Sequence, residues 1–344
     1  MVFVNAHTEQ KDKMTRGTSM RILNKKADKD FIVLNLTDTQ LSNEEWAEGT
    51  THRRILERTI TELVARVSPD LITVSGDLAW AGHDHAYDML ASFLDSFGIP
   101  WAIVWGNHDN QNGAEYIDTV ATRYMTYENC IYEKGESALG NGNYVISIEQ
   151  DGKSLAGIFM IDSHDRSPYI DADGNEHRAW AKLNDAQKVW YGEQIEALKQ
   201  RGCADATVIM HIPIYAFRDA TAAAYKSTVD HKSLTLEESF GRDCWNEGYE
   251  DSIGVQYEGI GSYPTDDGML DVLKASSITK RIVVGHDHIN NWIIDYEGIR
   301  FVYSLKTGAG CYWNPILNGG TVLKIGADGV YDVVHEYVDT SDIK

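Results

Sequence analysis

Five short segments of the chain place metal-ligating side chains directly after apolar runs. Carboxylate, amide and imidazole groups in combination suit Mn, Fe, Zn or Co rather than Ca. Taken singly, an aspartate at a strand end is typical of a turn or a helix cap, and a lone histidine is typical of a satisfied polar group. Five such segments in order favour one shared site. The residues are Asp38 and Gln40 (DTQ), Asp77 (GD), Asn107, His108 and Asp109 (GNHD), His211 (MHIP), and His286 and His288 (GHDH).

The elements that must position these residues alternate along the chain. Apolar runs predict buried strands that end in the polar residues, and helical spacing predicts helices between them. The predicted strands are Phe31–Asp38, Leu71–Asp77, Pro100–Asp109, Tyr144–Ile148, Gly157–Asp162, Ala206–Ile214 and Arg281–His288. The predicted helices span 51–67, Tyr87–Phe97, Asn184–Gln200 and Gly268–Ser276. This order predicts an α/β fold, in which sites gather at the carboxyl ends of the strands.

Length and composition bound the domain organisation. The 344 residues contain neither a linker nor a repeat, so we expect a single domain over 29–344. Residues 1–28 are polar and mixed in charge, which predicts a flexible leader. Residues 215–266 are polar and rich in Gly and Tyr without clear periodicity, which favours a functional insertion or lid.

Charge and cysteine content exclude several classes of protein. Lys and Arg number 31 against 52 Asp and Glu, a net charge of −21, which argues against a nucleic-acid polymer or an anionic membrane as partner. The chain has no apolar run of membrane-spanning length and no secretory signal in its first 30 residues. The compartment stays open between the cytoplasm and secretion with the signal removed, and the oligomeric state is undetermined. The four cysteines are too scattered for a zinc ribbon, although one or two disulfides stay open: Cys130, Cys203, Cys244 and Cys311.

The ordered set of segments closely resembles the calcineurin-like metallophosphoesterases, whose pattern runs D-x-H, G-D-x-x, G-N-H-D/E, H and G-H-x-H. Here the pattern covers residues 38 to 288. HIPIY at 211–215, the later NEGYED and EGIG, and GHDHIN at 285–290 resemble the small single-domain purple-acid-phosphatase-related branch. The resemblance implies a four-layer α/β/β/α sandwich of two mixed sheets.

The same resemblance implies two metal ions, which are Mn, Fe or Zn, and hydrolysis of a small phosphomonoester or phosphodiester by a metal-bridging hydroxide. It implies that His108 assists the leaving group and that Asp109 orients the His108 imidazole. The first ion would take Asp38, Gln40, Asp77 and His288. The second would take Asp77, Asn107, His211 and His286.

Two positions depart from the family pattern. Residue 40 is Gln rather than His, and three interpretations stay open: a weak ligand, a residue that holds a ligating water, or no part in binding. Trp80 stands where the purple enzymes have a tyrosine, so an Fe(III)-tyrosinate centre is not expected. The alternatives to a phosphoesterase are a catalytically silent metal-binding scaffold of the same fold, or a two-metal enzyme that hydrolyses another bond.

Several further residues carry weaker hypotheses. The segment 82–85 repeats the letters GHDH in a loop before a helix, which predicts helix-entry residues. Specificity is expected from 215–266 and from the loop 306–313. An aromatic or nucleotide-like leaving group would stack on Trp105, Tyr312 or Trp313. A second phosphate would contact Lys226, His231 or Arg242.

Overall fold

Two mixed β-sheets lie face to face in a computed structural model that describes residues 20–226 and 233–344. The larger sheet has seven strands, in the spatial order β1 (Met20–Asn24), β5 (Tyr144–Gln150), β6 (Lys153–Met160), β9 (Ala206–Ile209), β10 (Thr279–Val284), β12 (Ile299–Tyr303) and β11 (Ile293–Tyr296). The smaller sheet has five strands, in the order β14 (Gly329–Tyr337), β13 (Gly319–Gly326), β2 (Phe31–Leu36), β3 (Leu71–Ser75) and β4 (Trp101–Val104). A separate hairpin is formed by β7 (Arg166–Ile170) and β8 (Glu176–Trp180).

Helices cover the outer faces of both sheets. They are α1 (Thr51–Val67), α2 (Asp84–Asp95), α3 (Ala114–Tyr124), α4 (Asp185–Gln200), α5 (Ala216–Ala224), α6 (Leu236–Ser239) and α7 (Met269–Ala275). The predicted α1 agrees with the structure. At α4, Asn184 forms a capping box with Gln187 as the sequence suggested.

The core is divided by the larger sheet into two layers. Val283 of β10 packs into the apolar layer between the sheets, whereas its neighbours Ile282 and Val284 pack into the layer beneath α4, α5 and α7. Side chains of a strand point alternately to opposite faces, so a strand with both faces covered must be apolar throughout. The four-layer α/β/β/α arrangement predicted from the resemblance is confirmed.

The parallel strands bring their carboxyl ends to one edge of the sandwich. In the smaller sheet β2, β3 and β4 are mutually parallel, and in the larger sheet β9 is parallel to both β6 and β10. The C-terminal strand β13 is antiparallel to β2, with Thr321 opposite Asn35.

The expected leader differs from the structure at its end. Met20–Asn24 form β1, which is parallel to β5, and Arg21 Nε lies 2.7 Å from a Glu133 carboxylate oxygen. This strand was not predicted because its side chains are mostly solvent-facing, so the segment lacks the apolar run of a buried strand. Residues 1–19 lie outside the described part of the chain.

The expected insertion contains regular structure. Helices α5 and α6 lie within 215–266, and α5 packs its Phe217 and Ala220 into the core. Residues 227–232, including His231, lie outside the described residues. The division into leader, domain and lid stays a prediction.

Two expectations about cysteines and membranes have simple outcomes. All four cysteines are free thiols. Within residues 20–226 and 233–344, no helix combines the length and the apolar character needed to cross a membrane.

Candidate metal centre

The predicted residues meet where the carboxyl ends of the two sheets face each other. Asp38 follows β2, Asp77 follows β3 and the GNHD segment follows β4, all in the smaller sheet. The larger sheet contributes His211 after β9, and His286 and His288 after β10. Backbone hydrogen bonds hold neighbouring loops together, from Asp38 N to Gly76 O at 3.1 Å and from Gly285 N to His211 O at 3.2 Å.

Three of these residues turn sharply at the strand end. Asp38, Asp77 and His286 have φ values of 53°, 50° and 75°, the left-handed region that side chains other than glycine rarely adopt. Such backbone costs on the order of 1 kcal/mol or more per residue and persists only where the surrounding structure holds it. The turns bring these three residues together at the carboxyl ends of the strands.

Two glycines of the motifs allow the loops to approach closely. A Cβ at Gly106 would collide with the Asp77 carboxylate, and a Cβ at Gly285 would collide with Thr37 Oγ1 and the Asp38 carboxylate. The glycines that open the GNHD and GHDH segments, Gly106 and Gly285, are therefore required for the close packing of the loops that form the site.

Three residues meet around the buried Asp77: His211, Asn107 and His108. His211 Nε2 lies 3.3 Å from Asp77 Oδ2 and 3.1 Å from Asn107 Oδ1. Asp77 Oδ1 accepts a 2.8 Å hydrogen bond from the backbone N–H of His108. His211 Nδ1 donates to Ser75 O at 2.8 Å, which orients the ring from within the core.

Around Asp38, a second cluster adjoins the first. His288 Nε2 lies 3.2 Å from Asp38 Oδ1, and His288 Nδ1 donates to Tyr312 O at 2.8 Å. One ligand atom from each of Asp38, Asp77 and His288 falls within 4.8 Å of the others. Gln40 is fully buried, and neither its amide oxygen nor its amide nitrogen has a hydrogen-bond partner among the described residues; Asp38 Oδ1 likewise has none.

These contacts fit a bound cation. Since both Nδ1 atoms donate to carbonyl oxygens, each Nε2 is left facing a carboxylate oxygen, an arrangement that a proton on Nε2 or an intervening metal ion stabilises. Burial alone would lower the pKa of His211, but Asp77 and Asp38 raise it to about 9. Burial alone would raise the pKa of the Asp38 carboxyl, yet His288 and His211 bring it below its usual range. The donor set of oxygen and imidazole nitrogen suits Mn, Fe or Zn.

His286 completes the buried side of the cleft. Its backbone N–H donates to Asp38 Oδ2 at 3.1 Å, and its ring packs edge-on against His211 with centroids 5.1 Å apart. Burial and the adjacent His211 lower the pKa of His286 to about 3, which keeps its imidazole neutral and able to ligate. The Trp180 ring lies against its other side at 4.4 Å.

His108 lies at the rim of the same cleft. Its Nε2 is 4.0 Å from Asp77 Oδ2, and its ring packs edge-on against Trp80 at 4.3 Å. The amide nitrogen of Gln111 is 2.8 Å from His108 Nδ1. An amide nitrogen only donates, so Nδ1 accepts and the ring proton resides on Nε2, which faces the cleft.

Asp109 does not make the expected contact with His108. Its carboxylate accepts hydrogen bonds from Gly106 N at 2.7 Å, Leu78 N at 3.1 Å and the Tyr87 hydroxyl at 2.7 Å. Because the carboxylate points back toward the β3 and β4 loops, it joins those loops and leaves the imidazole to Gln111. Burial and the charge of Asp77 raise the pKa of Asp109 to about 7.

The aromatic predictions divide between the cleft and the core. Tyr312 stacks on His288 with centroids 4.2 Å apart, and its hydroxyl donates to Glu258 at 2.8 Å. Trp105 is fully buried and donates to the Tyr132 hydroxyl, so it belongs to the core rather than to a stacking surface. Trp313 is half-buried and is not part of the lining of the cleft.

The second-phosphate hypothesis is wrong for Arg242. This arginine is exposed, pairs with Glu237 at 2.8 Å, and lines a different depression. Lys226 contributes its backbone N–H to a bond with Cys244 O and does not line the cleft.

The GHDH segment at 82–85 has the predicted helix-entry role. His83 is the residue that precedes α2, and its Nδ1 accepts from Asn43 N at 3.0 Å. Helix α2 therefore begins three residues earlier than its apolar spacing indicated.

The cleft has a volume of about 460 Å³ and residues that sequence reasoning missed. Trp180 and Glu258 line it, and the Nζ of the buried Lys306 donates to Asp38 O at 2.5 Å. A neighbouring cleft of about 340 Å³ shares Asn107, His108 and Trp180 with it. Glu258 opens the EGIG segment and Lys306 opens the loop expected to carry specificity, whereas no sequence signal links Trp180 to the motifs.

A family model described as calcineurin-like phosphoesterase matches residues 31–290. Two curated relatives are from Arabidopsis thaliana. The protein named probable inactive purple acid phosphatase 29 is 26% identical over 74% of this chain and 63% of its own length, and probable inactive purple acid phosphatase 14 is 27% identical over 74% and 61%. The chain thus spans about three fifths of the length of these relatives.

Solved structures share the fold. A dimetal phosphatase from Danio rerio has a TM-score of 0.55 at 12% identity and covers 90% of this chain and 99% of its own. The purple acid phosphatase PPD1 from yellow lupin has a TM-score of 0.50 at 13% identity, over 91% of this chain and 55% of its own. At such identities the likeness concerns the fold alone.

Proposed function

The chain belongs to the calcineurin-like phosphoesterase family, and on that premise we propose that it hydrolyses a small phosphomonoester or phosphodiester with a pair of metal ions. Asp38, Asp77 and His288, with Gln40, would hold one ion, and Asp77, Asn107, His211 and His286 the other. The observation that carries the proposal is the pair of imidazole Nε2 atoms, each facing a buried aspartate oxygen at 3.2 to 3.3 Å.

Bound metal ions would neutralise the charge of the phosphoryl group and make a water nucleophilic near neutral pH. The chain's own residues supply the remaining parts. Asp77 lies between the two clusters, in position to serve both ions. The Nε2–H of His108 faces the cleft, where it can donate a hydrogen bond to the departing oxygen and stabilise the charge that develops there.

Residues around His108 hold it ready for that role. The Gln111 amide keeps the proton on Nε2, and Trp80 packs against the ring. Asp109 acts further back, by fixing the loops that carry Asp77 and His108. Asp109 is therefore a positioning residue in this proposal.

The alternative is a metal-binding scaffold without turnover. It is favoured by Gln40 in place of the family's histidine and by relatives whose names describe them as probably inactive. Against it stand the retained His108 and the six other predicted ligands: Asp77, Asn107, His286 and His288 line the cleft, and Asp38 and His211 lie against them.

Hydrolysis of p-nitrophenyl phosphate and of bis(p-nitrophenyl) phosphate, each with added Mn and with chelator, separates the two. We expect turnover with Mn and its loss with chelator, and the preferred ester assigns the mono- or diesterase class. Stoichiometric Mn binding without turnover of either ester or of nucleotides would establish the scaffold instead.

A further inference from the structure

The hairpin of β7 and β8 places two arginines beside His108. In its register Arg166 is opposite Trp180, and Pro168 is opposite Arg178. Residues that face each other across an antiparallel pair share one face, as do residues two apart on a strand. Arg166, Arg178 and Trp180 therefore lie on the same face of the hairpin.

That face closes the cleft of about 340 Å³ that adjoins the candidate metal centre. Besides Arg166, Arg178 and Trp180 it is lined by Asn107, His108, Gln111 and Asp165. His108 lies on the boundary between the two clefts, so a substrate whose reacting phosphoryl group occupies the metal cleft can extend past His108 toward the arginines.

The two arginines differ from most arginines of this acidic chain, which pair with a carboxylate; Arg54 and Arg218 bond instead to Lys344 O and to Ser262. Nine other arginines have a carboxylate oxygen within 2.8 Å: Arg21, Arg53, Arg58, Arg66, Arg123, Arg201, Arg242, Arg281 and Arg300. The nearest one to Arg166 is Asp165 at 3.9 Å, and Arg178 has no described carboxylate oxygen within 4.0 Å. In a chain of net charge −21, a cleft lined by two guanidinium groups and a single carboxylate, Asp165, has a local excess of positive charge.

Arg166 is also held in place. Its guanidinium lies over the Trp180 ring, 3.5 Å from the centroid, so the planar group is oriented while its N–H groups have no hydrogen-bond acceptor among residues 20–226 and 233–344. Asp165 opposes an anion here, but it is a single carboxylate against two guanidinium groups, and burial raises its pKa.

We propose that Arg166 and Arg178 form a second anion subsite, which holds a phosphate carried by the leaving group of the substrate. This inference rests on the proposed function for the position of the reacting phosphoryl group. It assigns the substrate to phosphoesters or phosphoanhydrides with two phosphates, and guanidinium groups suit such an anion because they bind phosphate oxygens in pairs.

The test compares ADP, whose leaving group carries a phosphate, with p-nitrophenyl phosphate, whose leaving group carries none. In the double variant Arg166→Gln and Arg178→Gln, we expect kcat/KM for ADP to fall about ten- to a hundred-fold, mainly through KM. The value for p-nitrophenyl phosphate should stay within about twofold. A hexose bisphosphate measured against the hexose monophosphate distinguishes a separated second phosphate from an adjacent one.

Arg242→Gln combined with Arg300→Gln is the matched control, since it also removes two guanidinium charges, from arginines that line neither cleft. Equal losses on both substrates would mean that the arginines bind the reacting phosphoryl group, and no loss on ADP or on the bisphosphate would mean that they bind no second phosphate. Either result overturns the subsite.

If the wild type hydrolyses no ester, the proposed function fails while the subsite is still testable. Calorimetric titration of the Mn-loaded protein with ADP and AMP should then show tighter ADP binding that the double variant loses. An unchanged ADP affinity in the double variant would overturn the subsite.

Discussion

His211 and His288 face the two aspartates of the candidate centre in the same way, yet the backbone that orients each ring differs. The carbonyl that holds His211 belongs to Ser75, in a central strand where every residue is buried. The carbonyl that holds His288 belongs to Tyr312, in a loop where that side chain is 47% exposed. The His211 ring is thus supported by a buried strand and the His288 ring by an exposed loop. We call the half of the centre formed by Asp38 and His288 the loop-supported half, and we expect it to bind its ion less tightly.

Asp77→Asn should have the largest effect, because it removes the carboxylate that both halves share. We expect turnover to fall about 10³-fold or more, with loss of bound Mn, since the variant loses a buried charge at the reacting centre. Turnover of p-nitrophenyl phosphate and Mn content by elemental analysis measure this. Asp295→Asn, at an exposed carboxyl paired with Arg300, is the control; full Mn content in Asp77→Asn would contradict a shared ligand.

His108→Ala should lower turnover while leaving both halves of the metal centre intact. Loss of a hydrogen-bond donor to the departing oxygen lowers the rate by about 10²- to 10³-fold, whereas His108 is bonded to Asp77 through its backbone N–H, which alanine keeps. The measurement is kcat together with Mn content. A parallel loss of Mn would instead make the His108 side chain a ligand.

Gln40→His should act on the loop-supported half alone. An imidazole is a stronger and more directional metal ligand than the buried Gln40 amide, which has no hydrogen-bond partner in the described part of the chain. We therefore expect Mn affinity at the weaker site to rise about tenfold or more. Titration of Mn into the wild type and the variant resolves the two affinities. Two equal affinities in both proteins would remove the difference between the halves.

Tyr312→Phe should have the smallest effect, again on the loop-supported half. It removes the hydroxyl bond to Glu258 but keeps the stacked ring and the carbonyl that orients His288. Because the hydrogen bond from Tyr312 to Glu258 supports the residue whose carbonyl orients His288, its loss should lower Mn affinity by about tenfold or less at that half only. Tyr331→Phe, at an exposed tyrosine bonded to Asp30, is the control, and it should leave both affinities unchanged.

The elements that carry the ligands were predictable because buried parallel strands are apolar throughout and end in polar residues. The apolar runs Phe31–Leu34 and Ile282–Val284 have this pattern, and the structure brings the ends of their strands together. The roles given to the ligands came from the resemblance, and they remain a proposal. Position 40 shows what the sequence could not settle. Three interpretations of Gln40 were open, and the structure adds only that its side-chain amide has no hydrogen-bond partner among the described residues.

The β7–β8 hairpin could not be predicted from the sequence in the same way. Its residues are mostly exposed, so Arg166 and Arg178 sit in a segment without an apolar pattern. Likewise, Gln111 was missed because nothing in one sequence distinguishes a residue that bonds His108 from its neighbours. Asp109 was assigned to that bond by adjacency, but the short loop turns its carboxylate toward the backbone of Gly106 and Leu78.

The pairing of β13 with β2 has a consequence for the order in which the protein is made. Strand β2, which leads into Asp38, lies between β3 and β13, and the latter consists of residues Gly319–Gly326. During synthesis β2 therefore waits for a partner that leaves the ribosome almost 300 residues later. Contacts so distant in sequence slow folding, so the cleft takes its final form only near the end of translation, and until then the nascent chain exposes one unpaired edge of an apolar strand, which a chaperone would recognise.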